Sequence, residues 1–574
     1  MYNSQIAELL GEIADMLSLG EKDRKFEVLA YRKAALTIGS LQEDVGDIYY
    51  KGGLSALMEL PGVGKGIAGA VKEYIETGKM GKYEALKKQY PIDFKSLTKI
   101  QGMGAKKAFK LYKSLKVRNI DDLKKALSQH RIRGLAGFGE KSEGEIGKGL
   151  MLLESNKGRM AIGAALPEAE AIVKKLTESR LVDRAIIAGS LRRMRETVGD
   201  IDILVISSKP EKVMDFISKI DEVADITMSG PTKTTVRLKI GLGCDIRVVP
   251  AGSFGAALQY FTGNKDHNVK VRQIAIKLGY KLNEYGLFDK KGKNVAEAEE
   301  ESIYKKLGMD MVDPEMREDR GEVELSLQHK LPRVVELGDI LGDLHVHTNH
   351  SDGSASIMEM AEQAKAIGRK YLGITDHSKS EYVAHGMNDK QFAKHLADID
   401  RANDKLEGIR LLKSAEIDIL KDGSLDLSNK TLSMMDYRLA SIHASLGMNR
   451  DDMTKRMIKA IESGYVDILA HPTDRIINTR SPIALDLDKV FQCAADNNVA
   501  LEIDGYPERL DLNDENIIKA MQYKVKFSID TDSHSTAHLS LMRYGVGTAR
   551  RGWVTPDKVL NAMEPEKLLK QFNK

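Results

Sequence analysis

Apolar and polar positions follow three different patterns along the 574-residue chain, and these patterns separate a front, a middle and a back third. In the front third, apolar residues recur at helical spacing, as in the opening segment MYNSQIAELLGEIADML, which predicts helices. In the middle third, the segment RAIIAGSLRRMRETVGDIDILVI reads as a strand, a glycine turn, a basic stretch and a second strand. In the back third, short apolar strands alternate with helical stretches. No run of eighteen apolar residues occurs, so no membrane span is predicted.

Three glycine turns of similar sequence interrupt the predicted helices of the front third. They lie at 60–64, 100–104 and 135–139 and share the pattern apolar-x-Gly-apolar-Gly. Glycine permits a tight turn and lets backbone N–H groups approach a phosphate, and lysines near the turns add positive charge. A single such turn is also what a plain helix connection requires, but three copies favour binding to a nucleic-acid backbone. The candidate contacts are Gly62, Gly64, Lys65, Gly102, Gly104, Lys106, Gly137, Gly139 and Lys141.

Three aspartates of the middle third form a candidate catalytic set. Asp200 and Asp202 are two residues apart, so both lie on one face of the predicted strand, while the isoleucines between and after them face a core. Asp245 provides a third carboxylate from the apolar, β-branched run TTVRLKIGLGCDIRVV. Carboxylates in this arrangement can hold two divalent ions for in-line phosphoryl transfer.

A basic turn precedes the first two aspartates. Gly189 and Ser190 form a turn suited to holding phosphate through backbone and hydroxyl donors. Arg192 and Arg193 follow, and their charge can neutralise a triphosphate leaving group. The order of turn, acids and third acid predicts a nucleotidyl transferase site.

Histidines and acids follow the apolar strands of the back third, where ten of the thirteen histidines lie. The ends of successive parallel strands are where a β/α barrel builds its active site. A single ion takes four to six ligands, so a set of nine predicts two or three ions. The set is His345, His347, Asp352, His377, Glu416, His443, His471, Asp532 and His534. Arg475 is a candidate phosphate contact, and His350, His385 and His538 lie near these motifs without an assigned role.

Composition adds two points to this picture. The net charge of +3 averages a basic front and an acidic back, as expected for polyanion binding first and metal chemistry last. The two cysteines, Cys244 and Cys493, are too few for a disulfide framework, which fits a reducing compartment. A cytoplasmic, nucleoid-associated protein is therefore expected.

These motifs, in this order and over nearly the whole chain, resemble the family X DNA polymerases of the group fused to a PHP domain. The resemblance implies that Ser190 and Arg193 hold the incoming triphosphate, with Gly199 nearby, and that Asp200, Asp202 and Asp245 serve the metals and the primer 3′-hydroxyl. Tyr260-Phe-Thr-Gly263 matches the nucleotide-pocket signature, in which Tyr260 and Phe261 pack against the sugar and the Thr262–Gly263 peptide is cis. Asn268 and Arg272 match positions that touch the nascent pair and the template.

The resemblance also implies a multidomain fold. Helix-hairpin-helix modules precede an α/β nucleotidyltransferase palm with a thumb, and a PHP domain follows as a distorted seven-stranded (β/α) barrel. The expected bounds are a lyase-like helical module at 1–90, a fingers-like module at 91–158, the palm at 159–250, the thumb at 251–314, a polar linker at 315–337 and the PHP domain at 338–574.

The expected function is DNA-directed synthesis across short gaps in repair of the base-excision type. The PHP domain is expected to act as a 3′–5′ exonuclease, with abasic-site endonuclease or 3′-phosphatase activity as further options. Mg²⁺ or Mn²⁺ is expected at the polymerase site and two or three Mn²⁺ or Zn²⁺ ions at the PHP site. The expected partners are gapped or nicked DNA and deoxynucleoside triphosphates, with no membrane and a monomeric chain.

Two positions depart from the family pattern. Ala70 stands where the lyase branch carries its Schiff-base lysine, and Lys72 lies on another side of the predicted helix. Weak or absent 5′-deoxyribose-phosphate lyase activity is therefore predicted. Lys265 stands where some relatives carry an acid, which leaves selectivity at that contact open.

Three other functions compete with this interpretation. The first is a nucleotidyl transferase acting on RNA ends or small molecules, against which the three turns and the Tyr260-Phe-Thr-Gly263 motif argue. The second is a non-catalytic DNA-end scaffold, which predicts lost carboxylates or metal ligands. The third keeps the polymerase but makes the PHP domain a small-molecule phosphatase, as in histidine biosynthesis, because fold alone does not fix function.

Overall fold

The computed structural model describes residues 2–20, 24–39, 41, 44–100, 102–155, 158–296 and 298–572. The chain forms two compact units, one of residues 1–157 with 478–481, and one of residues 158–477 with 482–574. Within the described residues, no helix is long and apolar enough to cross a membrane.

The first unit is helical. Its helices follow the apolar spacing, as in α1, where Ile6, Leu10, Ile13 and Leu17 are buried on one face. A left-handed residue, Gly53, interrupts α3. The bounds are α1 (Asn3–Leu17), α2 (Lys25–Gly39), α3 (Val45–Met58), α4 (Lys65–Thr77), α5 (Gly81–Gln89), α6 (Phe94–Leu97), α7 (Ala105–Leu115), α8 (Ile120–Ser128) and α9 (Glu140–Ser155).

The three glycine turns adopt one geometry. The first glycine of each turn is left-handed, with φ of 78° at Gly62, 81° at Gly102 and 78° at Gly137, a conformation that other residues rarely adopt. In each turn the residue between the two glycines donates its N–H to the carbonyl three residues earlier, at 2.9–3.0 Å. Helices α4, α7 and α9 begin after the second glycine. The repeat seen in the sequence is therefore a repeat of backbone shape.

A five-stranded sheet forms the first part of the second unit. Its order is β2-β4-β7-β6-β5, with β4 and β7 as parallel neighbours and the other pairs antiparallel. A short antiparallel pair, β1 and β3, lies beside it. The bounds are β1 (Met160–Ala161), α10 (Ile162–Glu178), β2 (Arg184–Ile187), α11 (Gly189–Arg192), β3 (Thr197–Val198), β4 (Asp200–Ile206), α12 (Pro210–Ile217), β5 (Val223–Ser229), β6 (Lys233–Leu238) and β7 (Gly243–Val248).

Helices and one hairpin continue from this sheet. Their bounds are α13 (Phe254–Thr262), α14 (Lys265–Lys277), β8 (Lys281–Asn283), β9 (Gly286–Phe288), α15 (Glu301–Lys306) and α16 (Glu322–Leu327). The stretch 315–337, expected as a linker, is not an extended connection. It contains α16, and its Arg317 and Glu322 side chains are fully buried. Arg317 is paired with Glu300 and Glu322 with His267, so these polar residues can be packed away from water.

The remaining strands form a parallel barrel. The apolar run LLKSAEIDIL, which reads as one strand in the sequence, is interrupted at Ser414 and Ala415. Its first half, β12, lies in a three-stranded sheet, and its second half, β13, lies in a five-stranded sheet. A parallel bridge between Val346 and Ser533 joins the last strand to the first. The predicted strand segments and the barrel are thereby confirmed. The strands are β10 (Gly342–Val346), β11 (Tyr371–Ile374), β12 (Arg410–Lys413), β13 (Glu416–Asp418), β14 (Leu439–Ser441), β15 (Ile468–Leu469), β16 (Ala500–Asp504) and β17 (Phe527–Asp530).

Helices surround the barrel. They are α17 (Ile357–Ala366), α18 (Asp389–Asn403), α19 (Asn429–Leu432), α20 (Arg450–Ile461), α21 (Leu487–Asp496), α22 (Asp514–Ala520), α23 (Met542–Arg551) and α24 (Pro565–Phe572). Short 3-10 turns occur at Ala251–Ser253, Pro314–Met316, Leu337–Asp339, Tyr382–Ala384, Met521–Tyr523, Thr536–Leu541, Pro556–Lys558 and Leu560–Ala562. Leu510 and Tyr544 of the barrel are buried in the hydrophobic core of the β2-β4-β7-β6-β5 sheet. The barrel therefore packs against that sheet.

Two candidate active sites

The pairing of β4 with β7 brings three aspartates together. Asp202 lies directly opposite Asp245 in the parallel register, and Asp200 lies opposite Gly243. Ile201 and Ile203 are fully buried beneath the sheet, as the alternation of the sequence predicted. The three carboxylates therefore share one face of the sheet.

This arrangement raises the pKa of Asp202 to about 6. Burial is the largest cause, and the negative charges of Asp200 and Asp245 add to it. Cations partly offset the crowding, since Lys233 Nζ lies 2.6 Å from Asp245 Oδ2. Thr235 Oγ1 also donates to Asp245 Oδ1 at 2.6 Å. Mutually repelling carboxylates on one face of the sheet are a set of oxygen donors that fits divalent cations.

A cavity of 710 Å³ opens beside these aspartates. All nine residues expected to bind the nucleotide line it, together with two of the aspartates. Asp245 joins them through its pairing with Asp202. The predicted lining residues are Gly189, Ser190, Arg193, Gly199, Asp200, Asp202, Tyr260, Phe261, Gly263, Asn268 and Arg272.

Hydrogen bonds fix the end of α13 in this cavity. Asn268 donates from Nδ2 to the carbonyl of Tyr260 at 2.7 Å and accepts from Gln259 Nε2 at 2.7 Å. The guanidinium of Arg247 lies 4.7 Å from the centre of the Phe261 ring, and the Tyr260 and Phe261 rings meet edge to face. The aromatic pair is therefore held at the cavity wall.

The cis peptide expected between Thr262 and Gly263 lies one residue later, between Gly263 and Asn264. The N–H of Gly263 still donates to the carbonyl of Gln259 at 3.3 Å, so the peptide before Gly263 completes the helix and is trans.

The two arginines of the basic turn have separate partners. Arg192 does not line the cavity; its Nη2 is paired with the buried Glu300 at 2.8 Å, and its Nη1 donates to Thr262 Oγ1 at 2.6 Å. Arg193 lines the cavity, and its Nε donates to Glu318 Oε1 at 3.1 Å. Arg192 is therefore a structural residue, contrary to the expectation that both arginines face the triphosphate.

The nine acids and histidines of the barrel converge around Glu416. Its carboxylate lies 2.9 Å from His471 Nε2, 3.1 Å from His443 Nε2 and 3.1 Å from His377 Nδ1. His345 and His347 reach the same carboxylate at 3.4 Å. The remaining predicted ligands also meet at ion-pair distances, with His347 Nε2 3.1 Å from Asp532 and His534 Nε2 3.3 Å from Asp352. The structure therefore brings these nine side chains together in one cluster.

The donor atoms in the barrel suit metal ions. His345 Nε2, both ring nitrogens of His347 and His377 Nδ1 are buried near these carboxylates but make no well-aligned hydrogen bond. Such buried nitrogens are costly unless they coordinate something, and imidazole nitrogens and carboxylates are ligands of divalent transition metals. Within the described residues, two four-membered groups have ligand atoms close enough to hold an ion, and both contain His347.

Charge keeps this cluster ready for cations. Burial raises the pKa of Glu416, but His443, His377 and His345 outweigh burial and hold that pKa well below its usual range. Desolvation lowers the pKa of His377 to about 4. The deprotonated carboxylate of Glu416 and the neutral imidazole of His377 are forms that bind metal.

Sequence comparisons identify related domains and a relative of matching length. The models of the DNA polymerase beta thumb, the helix-hairpin-helix domain, the SAM-like helix-hairpin-helix tandem and the PHP domain match residues 257–318, 1–80, 94–150 and 343–505, respectively. The chain is 38% identical over 565 residues to the DNA polymerase/3′-5′ exonuclease PolX of Bacillus subtilis (strain 168), covering 98% of each chain. The chain belongs to the PolX family.

Other relatives match a smaller part of this PolX family member. A probable phosphatase of Thermoanaerobacter sp. (strain X514) is 29% identical over 231 residues, which cover 38% of this chain and 89% of that protein. The probable phosphatase YcdX of Escherichia coli O81 (strain ED1a) is 34% identical over 167 residues, which cover 28% of this chain and 63% of that protein.

Several residues of the two sites were not singled out in the sequence. Arg159, Arg195, Asn264 and Glu318 line the nucleotide cavity. In the barrel, Glu502 accepts from His345 Nδ1 at 2.6 Å and from the N–H of His471 at 2.5 Å. The signal for Glu502 was its acidic side chain in the middle of the mainly apolar strand VALEIDG.

Arg475 does not make the contact expected of it. Its Nη2 donates to Glu196 Oε2 and to the carbonyl of Leu510, each at 2.7 Å, so its charge ties the barrel to the sheet domain. The cation beside the metal ligands is Arg509, whose Nε lies 3.8 Å from Asp532 Oδ2.

The structure shows the neighbours of the three histidines that had no assigned role. The ring of His350 lies 4.4 Å from that of the buried His395. His538 accepts from the N–H of His534 at 3.3 Å. His385 ends a 3-10 turn with φ of 60°.

Gly189→Ala is expected to reduce nucleotide incorporation by about a hundredfold, a loss typical of a displaced catalytic group. A Cβ at position 189 would lie 2.3 Å from Asp202 Oδ2, and φ of 63° disfavours any side chain. Single-nucleotide incorporation into a gapped duplex measures the effect. Gly252→Ala is the matched control, since nothing lies within 4 Å of a Cβ there; equal losses in both variants would contradict the role of Gly189.

Proposed function

We propose that this protein is a DNA-directed DNA polymerase that fills short gaps during DNA repair, and that it also carries a 3′–5′ exonuclease. The observation that carries the first activity is the cavity in which the nine expected nucleotide residues meet Asp200 and Asp202, with Asp245 opposite Asp202. The B. subtilis relative of matching length is named for the same pair of activities.

In the polymerase site, Asp200, Asp202 and Asp245 would hold Mg²⁺ or Mn²⁺. Bound there, the ions supply charge stabilisation for the attacking and leaving oxygens. Ser190 and Arg193 hold the triphosphate, and Tyr260 and Phe261 pack against the sugar at the cavity wall. Asn268 and Arg272, on α14, face the nascent pair and the template. Asp245, which accepts from Thr235 Oγ1, would take the proton of the primer 3′-hydroxyl.

In the barrel, the nine acids and histidines would hold two or three Mn²⁺ or Zn²⁺ ions. Bound there, the ions supply an activated water and stabilise the leaving oxygen. The residues of this chain add fixed charge: Glu502 orients His345, and Arg509 lies beside Asp532 where a phosphate would enter. The same site could serve abasic-site cleavage or 3′-phosphate removal, since each breaks a phosphoester.

The three glycine turns of the first unit are proposed to hold the DNA backbone. Lys65, Lys106 and Lys141 follow the turns and are exposed, so they add positive charge beside the proposed path of the phosphates. Backbone recognition of this kind is independent of sequence, as a gap-filling enzyme requires. We also propose that the protein acts as a monomer in the cytoplasm, associated with the nucleoid.

The first unit is expected to have weak or absent 5′-deoxyribose-phosphate lyase activity. Ala70 on α4 is only 9% exposed and belongs to the helical core. Lys72 is half-buried, and its Nζ lies 3.9 Å from Glu76 Oε1, on another side of the helix. Borohydride trapping on a 5′-abasic end measures this; trapping as efficient as in a lyase-proficient family X polymerase would contradict it.

A small-molecule phosphatase is the second candidate function of the barrel, because two relatives of this region are named probable phosphatases. The two functions differ in what is released. Mononucleotides released from a labelled DNA 3′ end support the exonuclease. Phosphate released from histidinol phosphate, with DNA left intact, would replace it.

A further inference from the structure

Arg551 lies where the barrel packs on the sheet domain that carries the three aspartates. It ends α23 and is only 3% exposed. Its Nη1 donates to the carbonyl of Arg193 at 2.7 Å and to Glu318 Oε1 at 2.9 Å, and its Nη2 donates to Asp514 Oδ2 at 2.6 Å. One buried cation of the barrel therefore binds two residues that line the nucleotide cavity.

Helix α23 also presses on the turn that follows Arg193. A Cβ at Gly547 would lie 2.7 Å from Met194 Cε and 3.1 Å from Met194 Cβ, so the absence of a side chain at Gly547 favours this close approach. Met194 itself has φ of 51°. The shape of the basic turn is therefore matched to the surface of the barrel helix.

Glu318 places a negative charge in a cavity that must accept a triphosphate. It accepts from Arg193 Nε and from Asn264 Nδ2, each at 3.1 Å, and Arg195 Nη1 lies at 3.5 Å. Burial raises the pKa of Glu318, but Arg551, Arg193 and Arg195 outweigh burial and hold that pKa below its usual range. Glu318 is therefore an anion when the nucleotide arrives.

Two anions then compete for Arg193. An uncompensated Glu318 would retain Arg193 and repel the triphosphate, and both effects are strong in a partly buried site. Arg551 does not line the cavity, and Asp514 anchors it from the barrel side. It can stay with Glu318 while Arg193 turns to the triphosphate.

We propose that Arg551, anchored by Asp514, is a positioning residue of the polymerase site. It neutralises Glu318 and holds the Arg193 turn, so that Arg193 can bind the nucleotide triphosphate. This inference rests on the proposed polymerase function. The barrel thereby contributes Arg551 to the nucleotide site, in addition to carrying its own cluster of acids and histidines.

The test uses the full chain on a one-nucleotide-gapped duplex with the complementary deoxynucleoside triphosphate. Arg551→Gln should raise KM for the triphosphate about thirtyfold, the lower end of the loss typical of removing one partner of a buried charge pair, with kcat nearly unchanged. Arg551→Lys, which keeps the charge, should recover most of the affinity. Arg543→Gln is the matched control, because Arg543 pairs with Glu170 across the same boundary at 2.9 Å, outside the cavity; its KM should equal that of the wild type.

The second substitution separates charge from packing. In the double variant Arg551→Gln/Glu318→Gln, KM should return close to the wild-type value because the competing anion is gone. An unchanged KM in Arg551→Gln, or an equal rise with and without Glu318→Gln, would overturn the proposal.

Two further outcomes are also decisive. If Arg551→Gln does not fold, Glu318→Gln alone should lower KM, and an unchanged or higher KM would overturn the proposal. A wild-type protein that incorporates no nucleotide would instead refute the proposed polymerase function.

Discussion

Asp202→Asn is expected to reduce templated nucleotide incorporation by roughly a thousandfold, the upper range for removing one electrostatic group from a catalytic site. Asparagine keeps the size of the side chain but removes the charge that faces Asp245 across β4 and β7. The variant should fold, because Asp202 carries a raised pKa and its charge is disfavoured in the folded protein. Single-nucleotide incorporation and 3′-end degradation are measured on the same preparation.

Degradation by the Asp202→Asn protein should match that of the wild type, since the metal ligands of the barrel are unchanged. Asp215→Asn is the control. Asp215 is an exposed acid on α12, and its Oδ2 forms an ion pair with Nζ of the exposed Lys219 at 2.7 Å. Equal incorporation by the two variants would contradict the assignment of the three aspartates.

Glu416→Gln is expected to reduce the rate of 3′–5′ degradation by roughly a thousandfold. The carboxylate of Glu416 lies within 3.4 Å of nitrogens from five histidines, so no other residue of the cluster joins as many predicted ligands. Without its charge the cluster should also hold fewer ions, which elemental analysis of the purified protein measures. Nucleotide incorporation should be retained.

An exposed acid of the same barrel provides the comparison for this substitution. Glu462 follows α20 and is exposed, so Glu462→Gln should leave both degradation and metal content unchanged. Loss of incorporation together with degradation in Glu416→Gln would contradict two independent sites.

The metal ligands of the barrel could be predicted because each follows an apolar strand, and strand ends of a parallel barrel meet. The break between β12 and β13 could not, since Ser414 and Ala415 sit in a run that reads as one strand. Glu502 was missed for a related reason: it lies within β16, where the apolar pattern indicates core. Its acid is tolerated there because His345 and the N–H of His471 satisfy it.

The aspartates and the nucleotide residues could also be predicted, because strand alternation and a family motif mark them. The roles of Arg192, Arg475 and Arg551 could not. Each arginine pairs with an acid more than thirty residues away, Glu300, Glu196 and Asp514 respectively. Which acid an arginine meets depends on how the barrel, the sheet and the following helices pack, and no local pattern contains that information.

The most direct test of templated synthesis at Asp200, Asp202 and Asp245 uses the Glu416→Gln protein, in which degradation cannot mask extension. It is given four labelled duplexes with a one-nucleotide gap, each with a different template base, and all four deoxynucleoside triphosphates with Mg²⁺ or Mn²⁺. Addition of one nucleotide that matches the template in all four duplexes is the result expected here. Addition that ignores the template, or no addition with either ion, would contradict it.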